Sequence, residues 1–581
     1  MKVKVTKVKV TKVNVTLVLL FIGWTLAWTL INFKNNMIPA AGDTFFHVQR
    51  IYEIRESFAN FKLPSFFNWM TFHHTGQAVN LMYPDVTMWP LVLITNWLSP
   101  VRQVVTIQLL TLWVSFIVTF LAGKKRFGTD VALVLAFVIS LSGKILSTVS
   151  AHIQTSPELA VVAIFPIFLI LFDVWELPDD SGVKEMRKLF MPLVLWMVWM
   201  VYSHLLTALI MGVIVISVLL TKMLRNGNFR ELVTGGAIPA IVGLVAIVPM
   251  FYRLSIGYRT GVLPPATVDL YASSLRSVQD LWTEAGFASD LPLIAFLMII
   301  IMLLSRDIIK QIPGFTFLVS LSGILLFFST KLFPWMLFNK IPILSQLQSP
   351  TTRILPFVFP IILIGFGYYL KARKLKSVSI LALILVVALY AAAGTLQYQR
   401  SFGNKEIITD KVVNRTQATM VSPQGDPARL TDKAIEKGYN AGTFYDYIPE
   451  ASGKVPSSSA WLPTQNVVET ANQIGLINGK KQKFKIGHTF TNGIRFNVYA
   501  KSGDYLELPV WKYSYNGYCV LINGEAVRAS KSSMGRFLLQ TNETGSQNVE
   551  VREKTDKLYL LLLVLSVADV IWALVWVKID L

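Results

Sequence analysis

Runs of about 20 apolar residues, each enough to cross the roughly 30 Å hydrocarbon core of a bilayer as a helix, recur along this 581-residue chain. They lie near residues 15–33, 103–122, 130–148, 158–177, 189–202, 204–220, 232–252, 287–304, 314–330, 354–370, 377–395 and 558–577, which predicts a polytopic α-helical membrane protein of about twelve spans. Composition agrees: 15% of the residues are charged, against about 25% in soluble chains, so an ordinary soluble enzyme is excluded. The single cysteine, Cys519, excludes a disulfide framework and a Cys-based metal site.

The formal charge of +20 could point to nucleic acid, but its placement argues for topology. Lys2, Lys4, Lys7, Lys9 and Lys12 precede the first apolar run, which has no small-residue cleavage site and reads as an uncleaved signal-anchor with its N-terminus inside. Alternation from there puts Lys124–Arg126, Lys184–Lys188, Lys222–Arg230, Arg306 with Lys310, Lys371–Lys376 and Lys578 on the cytoplasmic side. Both termini are then cytoplasmic. The scheme needs residues 83–98, with Pro84 and Pro90, to lie in the outer interface. It also needs the run 189–220 to break near Ser203 and His204, because 32 residues of helix would be about 48 Å long.

Five regions follow: residues 1–33, a basic N-terminus and first span; 34–100, a first extracytoplasmic loop with interfacial helices; 101–396, a multi-span domain; 397–556, an extracytoplasmic β-rich domain; and 557–581, a last span. In the β-rich domain, Tyr505–Trp511 alternates, and Tyr518–Ile522 runs into Asn523-Gly524, a type I′ hairpin signal. Further strands are expected around 484–486, 494–499, 536–539 and 548–551, closing a small sandwich.

The first loop carries Ala41-Gly42-Asp43-Thr44-Phe45-Phe46-His47-Val48-Gln49-Arg50. On a helix, Asp43, His47 and Arg50 share one face at i, i+4 and i+7, a general base beside a phosphate clamp. The bland alternative is an interfacial helix with Asp43 as its N-cap and Arg50, Glu53, Arg55 and Glu56 as a solvated face. Glu158, after Pro157, is a good first-turn residue, yet it borders an apolar span where an ionisable group faces a polar cavity. His204 reads either as a hydrogen-bonded helix breaker or as a site residue, and Arg353 as a ligand of a bulk lipid headgroup or of a substrate phosphate.

In their order, Gly42-Asp43 with His47 and Arg50, Tyr83-Pro84, Ser156-Pro157-Glu158-Leu159-Ala160 with Phe165-Pro166, Ser203-His204-Leu205-Leu206-Thr207, and Leu347-Gln348-Ser349-Pro350 with Arg353 resemble the GT-C superfamily of membrane glycosyltransferases. More narrowly they resemble bacterial membrane proteins with a 6-pyruvoyl-tetrahydropterin-synthase-related domain. Tyr445–Pro449, Glu507-Leu508-Pro509, Asn516-Gly517-Tyr518 and Asn523-Gly524 resemble that family's extracytoplasmic portion. No zinc-binding His cluster of the soluble synthase is present, so the pterin activity is set aside.

The resemblance implies transfer of a sugar from a polyprenyl-phosphate-linked donor to a cell-envelope glycopolymer or glycolipid acceptor, at the outer face of a bacterial cell membrane. Asp43 is then the catalytic base, with Arg50 and Arg353 on the phosphate side. Glu158, His47 and His204 orient the acceptor or hold the loop, and Asp85 joins the substrate-binding set. The apolar stretches 61–69 and 82–98 are expected to form a groove for the prenyl tail. No cofactor is assigned. Asp43, Asp85, Glu158 and three histidines could assemble a divalent metal site, but their spacing matches no known ligand pattern. The external domain lacks Trp-Trp-Asp, which argues against peptide-asparagine transfer, and Asp43 is followed by Thr44 where protein O-mannosyltransferases carry a paired Asp-Glu.

Two other classes stay open: a transporter or flippase of a lipid-linked saccharide, and a non-catalytic envelope scaffold. No internal repeat supports the former, and the ionisable residues gather at the outer surface. Asp569, in the middle of the last span, stands apart and suggests a contact with a neighbouring helix.

Overall fold

A computed structural model describes residues 12–580 apart from 151–152, 179–180, 227–228, 264, 266–268, 275–279, 282–289, 306, 308–309, 311, 313, 342–343, 345, 374–376, 410–426, 439–445 and 453–463. The N-terminal lysines up to Lys9, His152 and Tyr445 therefore lie outside the described residues. Seven of the described helices are long and apolar enough to cross a membrane: Asn14–Asn35, Pro100–Phe127, Thr155–Glu176, Leu205–Arg225, Phe229–Arg259, Pro350–Arg373 and Lys557–Lys578. The chain is a multi-pass membrane protein. Twelve full-length crossings are not reached among the described residues, because several apolar runs make shorter helices, Thr129–Ser140, Leu293–Leu303 and Phe315–Ser329. The 12 residues of the first of these make about 18 Å of helix. Gly143, at φ +61, then starts a separate eight-residue helix, Gly143–Ser150.

The helices used below are α1 (Lys12–Asn35), α2 (Thr44–Ala59), α3 (Trp89–Thr95), α4 (Pro100–Phe127), α5 (Thr155–Val162), α6 (Val183–Ser203), α7 (Leu205–Asn226), α8 (Phe229–Arg259) and α9 (Lys557–Asp580). The long run 189–220 is broken where length demanded: α6 stops at Ser203, His204 is extended at φ −156, and α7 begins at Leu205. Residues Val86–Thr95 form a short apolar helix of about 15 Å, half the depth of a hydrocarbon core, with Leu93, Ile94 and Trp97 exposed.

Basic residues from separate loops meet at one end of the bundle. Arg126 contacts Asp173 and Tyr368, Lys371 donates to the Arg126 carbonyl, and Lys222 donates to the carbonyls of Trp175 and Leu177. The opposite end carries the first loop and the β-rich domain.

That domain contains two five-stranded sheets. Strands β4 (Ile474–Ile477), β5 (Lys480–Lys483), β6 (Lys485–Phe490), β7 (Gly493–Ala500), β8 (Tyr505–Trp511), β9 (Tyr518–Ile522), β10 (Glu525–Ala526), β11 (Ser530–Lys531), β12 (Arg536–Gln540) and β13 (Gly545–Glu553) sort into the orders β10-β9-β13-β7-β6 and β11-β12-β8-β4-β5. Inward residues of both sheets, among them Phe496, Leu508, Val510, Phe537 and Val551, share one apolar core, as a sandwich requires. The β9–β10 turn holds Asn523 and Gly524 at positive φ, the geometry of a type I′ hairpin. A third sheet, β1 (Ile38–Ala40), β2 (Glu406–Ile408) and β3 (Ala428–Leu430) in the order β1-β3-β2, ties the first loop to the start of the polar domain.

Two buried carboxylates make a second tie. Glu53 of α2 accepts from the backbone N–H groups of Trp69 and Met70 and from the Thr71 hydroxyl. Glu553, ending β13, accepts from the N–H groups of Phe66 and Phe67 and from the Trp69 indole. Burial pushes both carboxyls up to about 7 against the pull of these donors. The strap they grip continues into Phe72, His73 and His74, all left-handed at φ +50 to +59, a strained turn braced by Gln49 on one side and Gln473 on the other. Phe66, Phe67 and Trp69 are enclosed in this joint, with Phe67 stacked on Tyr513. These three are therefore closed to lipid, whereas Phe61 and Leu63 of the same stretch are exposed.

Candidate active site

Helix α2 forms as its pattern requires, and Asp43 occupies its N-cap position at φ −65. Its side chain makes no cap bond. The Asp43 carboxylate is exposed and instead accepts a hydrogen bond from the Gln154 side-chain amide at 2.9 Å. The expected solvated face fails for Arg50 and Glu53, which are 0% and 1% exposed. A single short helix covered on two sides, by the strap and by α5, leaves them no water.

Arg50 points under the loop. Its guanidinium donates to the Ser156 hydroxyl at 3.0 Å and to the Pro84 carbonyl at 2.5 Å, and it lies 4.2 Å from the centroid of the Tyr83 ring. His47, one turn earlier, packs edge-on against the same ring at 5.9 Å, and its Nδ1 is buried with no partner among the described residues. Burial, with Arg50, His204 and Arg353 nearby, lowers its basicity well below that of an ordinary imidazole. His204 approaches Tyr83 from the break between α6 and α7, 5.7 Å ring to ring. Its Nδ1 caps α7 through Thr207, 2.7 Å from the hydroxyl and 3.3 Å from the backbone N–H. The residue is thus the hydrogen-bonded helix breaker, and its ring faces Tyr83.

Arg353, early in the Pro350–Arg373 stretch, is half-buried, bonded to Gln348 through Nη2 at 2.9 Å, with Nε enclosed and unpartnered among the described residues. Gln348 is itself left-handed at φ +61. Tyr83 is the hub of the arrangement. Burial pushes its phenol up to about 12, Arg50 and Arg353 oppose that shift, and Asp43 adds to it, so acid, arginines and imidazole act on one ring.

Glu158 is fully buried, and its Oε1 accepts the backbone N–H of Gln154 at 2.8 Å, fixing the residue whose side chain holds Asp43. This is the first-turn role expected of it, put to use one step from the rim. Asp85 is also buried, and both of its oxygens are taken: Oδ1 by Arg253 at 2.6 Å and Oδ2 by the Trp89 indole at 3.0 Å. It locks the first loop onto α8. Among the described residues no group of three His, Cys, Asp or Glu side chains converges as metal ligands would.

His47, Arg50 and His204 are thus packed around Tyr83, Asp43 and Arg353 lie near enough to influence its phenol, and Glu158 and Asp85 stand behind them. Sequence reasoning missed Tyr83 as the centre, Gln154 as the partner of Asp43, and Arg253. It also missed Tyr447, whose buried phenol Arg50, Arg353 and Tyr83 influence, and whose carbonyl accepts from Ala78 N–H and the Tyr513 hydroxyl. Arg253 had a signal, a cation one residue past an apolar run. Tyr447 had none beyond its place in the stretch 445–449.

No family model matches the chain, and no curated protein does. Among solved structures, ArnT from Cupriavidus metallidurans bound to undecaprenyl phosphate is similar at 18% identity over 65% of this chain and 64% of that one, with a TM-score of 0.36. ArnT from Cupriavidus metallidurans in the apo state is similar at 16% identity over 68% and 66%, with a TM-score of 0.39. The chain spans just under two thirds of the length of each. Likeness at this level says nothing of chemistry.

Proposed function

We propose that the protein is a GT-C-type membrane glycosyltransferase that moves a sugar from a polyprenyl-phosphate-linked donor to a cell-envelope acceptor at the outer face of a bacterial membrane. The observation that carries this reading is one exposed carboxylate, Asp43, beside a wall of arginine, histidine and phenol centred on Tyr83. Attack of an acceptor hydroxyl on an anomeric carbon needs a base for its proton, and departure of a lipid phosphate needs fixed positive charge. Asp43 is the accessible acid, and the Gln154 amide orients it. Arg353, half-open, takes the phosphate. Arg50, fully buried and bonded to Ser156 and Pro84, contributes charge from below without touching the donor. His47 and His204 suit hydrogen bonding to sugar or acceptor hydroxyls. The basic loops gathered at the far end fit a cytoplasmic side there and an extracytoplasmic site here. Clustering of the ionisable groups at one end, instead of along a central path, favours transfer over transport.

The test is envelope glycan composition in cells lacking the gene, complemented with the wild-type or the Asp43→Asn chain. Loss of one sugar decoration, restored by the first and not by the second, is expected. Equal restoration by both, at equal membrane levels, contradicts the reading.

A further inference from the structure

We propose that the groove between α8 and α9 is the docking site for a transmembrane helix of another protein that carries a lysine or arginine at mid-span, and that Asp569 is its anchor. The groove is a cavity of about 470 Å³ lined by Leu244, Val248, Phe251, Tyr252 and Ser255 of α8 and by Leu562 of α9. Asp569 lies seven residues beyond Leu562, two turns along the same face of α9, near the middle of a helix that spans Lys557–Asp580. Its Oδ2 is enclosed and has no hydrogen-bond partner among the described residues, and the residue itself is half-exposed at the edge of the α9 packing seam.

A carboxyl group at this depth is expensive whether ionised or neutral, because lipid offers neither counter-charge nor hydrogen bond. Internal structure does not offset it here: Ser566, one turn away on the seam, is committed to the Ala246 carbonyl. α9 is also the least covered of the candidate spans, with 11% of its apolar window buried against 89% for Pro350–Arg373. A lipid chain would fill the groove and leave Asp569 unsatisfied. A second copy of the chain brings no suitable cation: Arg253 is paired with Asp85, Lys222 is bonded to two carbonyls, and among the described residues no exposed lysine or arginine stands near the middle of a candidate span. Charge complementarity therefore selects a different helix bearing a basic side chain.

The test places a photo-crosslinking residue at position 562 of the full-length chain in its native membrane. The expected adduct is a polypeptide whose span carries Lys or Arg at the depth of Asp569. Asp569→Leu should cut its yield at least tenfold, and exchanging the two charges, Asp569→Lys with the partner's basic residue changed to Asp, should restore it. Should Asp569→Leu fail to insert, Asp569→Asn reads the same loss. Adducts with lipid alone, with a second copy, with a helix lacking a basic residue, or undiminished by loss of the carboxylate overturn the proposal.

Discussion

The rim of the site and its floor use the same residue types and hold them in opposite ways. On the floor, Asp85 meets Arg253 and the half-buried Trp89, and Arg50 meets Ser156 and the Pro84 carbonyl, with the charged groups away from water. On the rim, Asp43 is exposed with one amide for company, and Arg353 keeps an unpartnered nitrogen. A buried ion pair contributes little net stability but is costly to break, since the survivor is left charged in a poor solvent. An exposed carboxylate with one neutral partner gives up little when it binds something else. The floor therefore fixes geometry, and under the proposed function the chemistry falls to the rim.

Substitutions can break that division. The largest effect is expected on the rim: Asp43→Asn should lower transfer by about 10³-fold, within the range for a positioned general base, with thermal stability unchanged. On the floor the signs reverse. Asp85→Ala should destabilise by about 3–5 kcal/mol in thermal unfolding, while Asp85→Leu with Arg253→Met should recover much of the loss. A third substitution sharpens the contrast between the two arginines: Arg353→Gln should cost about 10²-fold in transfer, chiefly through the KM for the donor, with the fold intact. Arg50→Gln should lower activity and stability together. An Arg353→Gln enzyme with unaltered KM would move the phosphate away from the rim.

The smallest predicted effect concerns the joint. Glu53 and Glu553 have folded-state pKa values raised to about 7, so the stability they contribute is fully present below the ordinary carboxylate range and is lost as pH rises towards 7. Protection factors of the Phe66–Thr71 amides, taken relative to their intrinsic exchange rates, should be larger at pH 5 than at pH 8. Glu553→Gln should flatten that dependence without altering the arrangement around Tyr83.

Patterns confined to short stretches were legible in the sequence. The type I′ turn at Asn523-Gly524 announces itself because only such residues tolerate its backbone, and the break at His204 follows from helix length against bilayer thickness. Asp43, His47 and Arg50 on one helix needed only a period of 3.6. What stayed hidden joins distant parts. Glu553 and the strap it grips are almost 490 residues apart, the β1–β3 pairing links Ile38 to Leu430, and no local pattern pairs Asp85 with Arg253. The same limit explains Arg50, which carries the charge of a surface residue and whose burial is decided by what covers α2. The strands of the three-stranded sheet are three residues long, too short for alternation to register.

The central claim is that Asp43 alone among these carboxylates acts on the reacting atoms. Its most direct test is sugar transfer by the purified full-length chain in lipid nanodiscs, given a synthetic polyprenyl-phosphate-sugar and envelope acceptor, with Asp43→Asn and Asp85→Asn compared at equal folded concentration. Asp43→Asn should leave donor binding intact and lower transfer by about 10³-fold, while the folded fraction of Asp85→Asn should retain it. Transfer by Asp43→Asn at the wild-type rate would contradict the account.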